Sequence, residues 1–191
     1  MKTPFPYFLL MLIIVSCSGQ NIPDKEFQIK GALMAVPAEL REGAKVLGFD
    51  KNGEMVTLRE GTNEMTCVAD DPANDGFSVA AYQKELEPYM MRGRELRAQG
   101  KSFQEIFEAR EAEVKAGKLK IPQGSILYIL TGKYNAEADS LEDKYLRYVV
   151  YIPYATAEST GLPLKPIAPG SPWIMDPGTH RAHIMINPPK N

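Results

Sequence analysis

The stretch Met175-Asp176-Pro177-Gly178-Thr179-His180-Arg181-Ala182-His183-Ile184-Met185 contains both histidines of the chain, flanked by two methionines. Imidazole with thioether is a ligand set for copper, and imidazole with a carboxylate such as Asp176 is one for zinc. The spacing restricts both. If the residues from His180 onward run as one strand, His180 and His183 point to opposite faces, and only His183 and Met185 share one. A turn at Thr179-His180 would be needed to bring His180 and Asp176 into the same shell. The plainer expectation is a pair of satisfied structural histidines, with a copper or zinc site as the alternative.

The other reactive side chain is Cys67, in Met65-Thr66-Cys67-Val68. A hydrolase built from Cys67, His183 and Asp176 would need three distant segments to converge. The chain has no Gly-x-Ser-x-Gly elbow, no His-Glu-x-x-His and no glycine-rich phosphate loop. Ser159-Thr160-Gly161 and Gly170-Ser171-Pro172 read as turns. No catalytic constellation is identified, and the reading leans away from an enzyme. Cys67 reads instead as a small hydrophobe on a strand, sharing a buried face with Met65 and Ala69. The long proline-punctuated segment around Trp173, the single tryptophan, offers a partner-binding patch, because tryptophan is enriched at binding hot spots. The bland reading is that Trp173 pins this loop to the sheet.

Positioning these residues falls to a mixed set of elements. Asp24 opens a first helix carrying Phe27, Ile29, Leu33 and Met34, which must stop before Pro37. A polar connector, Glu39 to Gly43, follows. Lys45–Phe49 and Met55–Arg59 flank Asp50-Lys51-Asn52-Gly53, a strong hairpin signal, and a second turn leads into Met65–Ala69, which reads as a β-meander. After the loop Asp70 to Gly76, the residues Val79, Tyr82, Leu86, Tyr89, Gly93 and Leu96 recur at helical spacing, with Pro88 kinking that helix or opening its second half. Glu85, Glu87, Arg92, Arg94, Glu95 and Arg97 read as its solvated face. Ser102-Phe103-Gln104-Glu105 is a capping box for the next helix. Its inner face is Phe103, Ile106, Phe107, Arg110 and Val114, and Glu111 pairs with Lys115 one turn on. Ile126–Leu130 and Leu146–Ile152 are apolar enough to be strands covered on both faces, and His183–Ile186 is a last strand. The expectation is an α+β domain: a mainly antiparallel sheet of about six strands with a helical hairpin packed on one face.

At the other end of the chain, Lys2 precedes an uncharged run from Phe8 to Val15, too short to span a bilayer. Ile14-Val15-Ser16-Cys17, closing that run, resembles the lipobox of bacterial lipoproteins. The resemblance implies a signal peptide over residues 1–16, a lipid on Cys17, a tether over 17–25 and one domain over 26–191. Several acyl chains on one cysteine would hold the protein firmly in the cell envelope. Ser18 fits sorting to the outer membrane, with the domain facing the periplasm or outside. A formal charge of −2 gives no footprint for nucleic acid. Val56-Thr57-Leu58-Arg59-Glu60-Gly61-Thr62-Asn63, Thr66-Cys67 and His183-Ile184-Met185-Ile186 also resemble a set of exported bacterial proteins of uncharacterised function. That resemblance implies a fold without a reaction. The functional expectation is a lipid-anchored accessory or binding module with an envelope protein as partner.

Overall fold

The protein is seen in a computed structural model that describes residues 21–189. Asp24 caps the first helix as its sequence requires, its side chain accepting from the Phe27 N–H at 2.8 Å. That helix, α1 (Lys25–Ala32), tightens into a 3-10 turn over Leu33–Ala35, and Pro37 then ends the run. The polar connector beyond it coils into one short helix, α2 (Ala38–Arg41). β1 (Lys45–Phe49) and β2 (Met55–Arg59) form the expected hairpin. Gly53, at φ +80°, is the residue that needs the left-handed region, and the Asp50 carboxylate accepts from the Asn52 and Glu54 amides.

The expected meander is not formed. β3 (Met65–Val68) lies on the far side of β1 and runs parallel to it. The chain leaves the edge strand β2 and crosses the start of β1 to reach that position. The Thr62 and Asn63 amides donate to the Gly43 carbonyl there, and a Cβ on Gly61 would sit 2.5 Å from the Lys45 nitrogen. Only glycine permits that approach.

Val79 and Tyr82, whose spacing predicts a helix, lie instead on a strand, β4 (Phe77–Gln83). Phe77, Val79 and Ala81 alternate with Ala80 and Tyr82, a two-residue period that the sheet exploits from both sides. Helical structure begins only at a 3-10 turn over Lys84–Leu86 and α3 (Glu87–Ala98), where Pro88 occupies the first turn, the position it tolerates. α4 (Phe103–Lys115) opens on the expected capping box between Ser102 and Glu105. A long hairpin follows, β5 (Ile126–Asn135) and β6 (Ser140–Tyr151). The short α5 (Ala157–Thr160), β7 (Trp173–Met175) and β8 (His183–Ile186) complete the set.

The result is an α+β fold on one eight-stranded sheet of order β2-β1-β3-β4-β5-β6-β8-β7, antiparallel except between β1 and β3. It is a larger, mixed sheet than the six-stranded antiparallel one expected. β7, at three residues, is too short to leave an alternating pattern in the sequence.

Each face has its own core. α1 and the 3-10 turn cover Val46, Met65, Cys67, Val79 and Leu130. The α3–α4 hairpin covers Tyr82, Leu127, Val149, Tyr151 and Met185 on the opposite face. β5 and β6 are therefore buried only at Leu127 and Leu130 and at Leu141, Val149 and Tyr151, and are partly or fully exposed elsewhere, rather than covered throughout. Among the described residues no helix is long and apolar enough to cross a membrane.

Candidate functional site

Both histidines, Asp176 and Met185 collect where α3 and α4 meet the C-terminal strands. The His180 ring is fully enclosed, at 0% exposure. Its backbone N–H donates to Glu111 Oε2 at 2.8 Å, and its Nδ1–H donates to the same oxygen. Lys115 Nζ holds the other carboxylate oxygen at 2.8 Å. The rings of Phe107 and Tyr89 flank His180, with centroids 4.8 and 5.8 Å away.

With the proton on Nδ1, Nε2 is left as a lone pair, buried and without a partner among the described residues. Burial holds His180 below the ordinary imidazole range, and Arg110 and Arg181 add to this against the pull of Glu111. For Glu111, burial alone would raise the carboxyl. Hydrogen bonds from Lys115 and from the His180 backbone and ring outweigh it, so the net shift is downward. His183 is also lowered, by burial first, while its Nδ1–H donates to the Arg181 carbonyl at 2.7 Å.

Around this pair sits a second polar layer. The Arg110 guanidinium lies 4.1 Å from the Tyr89 ring centroid, in space left by Gly93, where a Cβ would meet Arg110 Nη1 at 3.0 Å. Arg181 reaches Asp176 at 3.5 Å, and Asp176 itself holds a left-handed φ of +51°. The Tyr89 and Tyr151 hydroxyls lie within electrostatic range of Arg110, Arg181 and Asp176, and burial pushes both upward. A carboxylate orienting a neutral imidazole is how many general bases are held. Here, however, the ring is sealed, and no substrate reaches Nε2 in this conformation. What the arrangement does is fasten the 176–183 segment to α4.

The proposed ligand set is thus drawn into one region but engaged internally. His183 and Met185 share the helix-covered face, as their spacing requires, and both are buried, Met185 within the apolar cluster. His180 lies in the turn before β8 rather than in the strand. Among the described residues, no three of His, Cys, Asp and Glu group to hold a metal ion. Cys67 is fully buried on the α1 face, between Met65 and Ala69 as the alternation implies, and burial pushes its thiol up to about 12. His183 lies on the opposite face, so Cys67, His183 and Asp176 form no triad.

Trp173 is half-buried against the Met185 cluster, with its indole N–H unpartnered among the described residues. Cys17 lies outside the described residues. Phe103, expected inward, is 63% exposed beneath the Arg181 guanidinium. The charged face of α3 is more ordered than a solvated surface. Arg92 forks onto Glu113, and Arg94 joins Glu87 and the Tyr82 hydroxyl. The local sequence marks Glu111 only as the partner of Lys115, because the contact to His180 spans 69 positions and leaves no local signal.

Two surface features flank this core. Between α5 and β7 the chain displays Leu164 and Ile167, 59% and 82% exposed. Yet the loop is tied down: the Ile167 and Ala168 amides donate to Ser171 Oγ, Gly170 N–H to the Asn187 carbonyl, and Ile174 N–H to the Pro163 carbonyl. At the far end of the sheet is an open cleft of about 390 Å³, lined by Phe27, Asp70, Gly76, Phe77, Lys133 and Tyr134. Comparisons with protein-family models, with curated proteins and with solved structures find no match.

Proposed function

We propose that the protein is a lipid-anchored accessory of the bacterial cell envelope, held in the outer membrane through Cys17, which binds a protein partner through its surface and does not act as a catalyst. The observation that carries this reading is the 161–172 loop, which hydrogen bonds hold in place while Ile167 stays 82% exposed. Burying such a side chain is worth about 1.5–3 kcal/mol, and this domain leaves that gain unused on an ordered segment. The sealed Glu111–His180 pair supports the same reading, since it spends the most reactive groups on fixing structure near the root of that loop.

Two measurements test the proposal. Intact mass of protein extracted from membranes is expected to show a mature N-terminus at Cys17 carrying acyl chains; an unmodified N-terminus downstream would remove the anchor. A photo-crosslinking residue at position 167 is expected to give one discrete adduct in intact cells, and the same residue at the exposed Lys118 none. Equal, diffuse labelling from both positions would remove the binding role.

A further inference from the structure

The exposed loop has a composition that ordinary loops lack. Between Glu158 and Asp176 the only charged residue is Lys165, in a chain that is 24% charged. Prolines recur at every third position, Pro163, Pro166, Pro169 and Pro172. Each lacks a backbone donor and has a fixed φ, so ordering the segment against a partner costs little entropy, and it cannot be zipped into a sheet. Depletion of charge at the centre of an apolar patch is a mark of protein interfaces. The segment bends at residues 164–165 and 167–168 and turns at 169–170, so it presents its flat apolar proline rings from a shaped loop, a surface that suits a groove lined with aromatic rings.

Such a groove is present in the same molecule. In the 390 Å³ cleft, the Phe27 and Tyr134 rings meet edge to face at 4.8 Å, and the Phe77 ring stacks 6.4 Å from Tyr134. A second, smaller depression shares Phe27, Asp70 and Phe77 and extends the groove to Pro23 and Gly31. A Cβ at Gly31 would meet the Phe77 ring at 3.3 Å, so glycine there keeps the aromatic floor in place. Asp70 is the one carboxylate of the lining; its Oδ1 accepts from the Ser78 N–H at 2.8 Å, and Asp71 and Asp75 lie in the same loop. The one lysine of the lining, Lys133, pairs with Asp143 at 3.0 Å on the open surface. The loop's own anchors to Asn187 and Ile174 hold it at the β7–β8 edge, while the cleft lies beside α1, β4 and β5.

We propose that the 161–172 loop of one copy docks in the Phe27–Phe77–Tyr134 cleft of a second copy, with Lys165 set against Asp70, so that copies join head to tail. Loop and cleft are different surfaces, so the contact is heterologous and leaves one free loop and one free cleft on every pair. The inference rests on the binding reading above and names the partner as this same chain.

The test uses full-length protein in its membrane, with two differently tagged copies co-expressed. One carries Ile167→Cys and the other Asp75→Cys, and disulfide-linked products are separated without reductant. The expected result is a tagged heterodimer several-fold above the level given by Ile167→Cys with Lys118→Cys. Lys165→Glu on the first copy lowers it, and adding Asp70→Arg on the second restores it. Restoration guards against a misfolded cleft variant, because an unfolded copy rescues nothing. A heterodimer no stronger than the Lys118→Cys control overturns the proposal. If that result comes with a discrete photo-adduct from position 167 to a different protein, self-association fails and the binding reading stands. With no adduct, both fall.

Discussion

Removing the Glu111 carboxylate should destabilise the helical hairpin more than removing any of its exposed charges. Glu111→Ala deletes the acceptor of two hydrogen bonds from an enclosed residue, one from the His180 backbone at 2.8 Å and one from its ring. A bond to a charged group contributes about 1.5–3 kcal/mol, and each buried donor left unpaired costs about 1–3 kcal/mol. Relief by inflowing water makes the sum less than additive, so the expected loss is about 3–5 kcal/mol. For a chain of this length that lowers the melting temperature by roughly 6–20 °C. Lys115→Ala breaks the other contact of the same carboxylate, but the lysine side chain is 65% exposed, so water screens the pair and its loss should be felt far less. Glu111→Gln keeps an acceptor without the charge and should fall between the two. Urea unfolding of the four proteins, read by circular dichroism, decides the matter. If Glu111→Ala costs no more than Lys115→Ala, the account of the 176–183 segment as fastened through His180 is refuted.

Three further outcomes follow from the same structure. Both histidines are held below their ordinary range by burial, so on acidification the unfolded chain takes up protons before the native one does; stability should fall as pH drops below about 6.5, by up to about 1.4 kcal/mol per pH unit for each histidine. Glu111, lowered in the fold, adds stability that is present above the ordinary carboxylate range and lost below it, so both effects weaken the protein in acid. Histidine ring titration by NMR checks the sign, and a His180 value above 6.5 would reverse it. Cys67, with its thiol pushed up to about 12, should resist thiol reagents until the protein is denatured; rapid labelling of native protein would contradict its burial. Gly61→Ala should cost about 1–3 kcal/mol, because its Cβ meets the Lys45 backbone nitrogen at 2.5 Å; an unchanged unfolding midpoint would show that the crossing over β1 is looser than described.

What could be read in advance divides along local and non-local lines. The Asp24 cap, the Asp50–Gly53 hairpin, the Ser102–Glu105 box and the Glu111–Lys115 pair depend on residues within a few positions of each other, and each is formed. The burial of Cys67 with Met65 and Ala69 followed from strand alternation alone. The parallel placement of β3 beside β1 did not, because a turn sequence does not say on which side of a strand the chain will land. Phe77–Gln83 carries apolar residues on both faces, so its alternation was concealed and Tyr82, Leu86 and Tyr89 mimicked a helical period. At the candidate site, the strand alternation of His183 and Met185 was legible. The Glu111–His180 bond was not, nor was the way Arg110 and Arg181 surround the two tyrosines, since these partners come from elements far apart in the chain.

On the proposed reading, the domain works through a loop held in place while its apolar side chains stay in water. Hydrogen–deuterium exchange of the native protein measures this directly. The amides of Ile167, Ala168, Gly170 and Ile174 each have a hydrogen-bond acceptor and should exchange well below the rate of an unstructured chain, although Ile167 is 82% exposed. Exchange of all four at the unstructured rate would contradict the account, because a loop that is not held in place leaves its exposed side chains without significance.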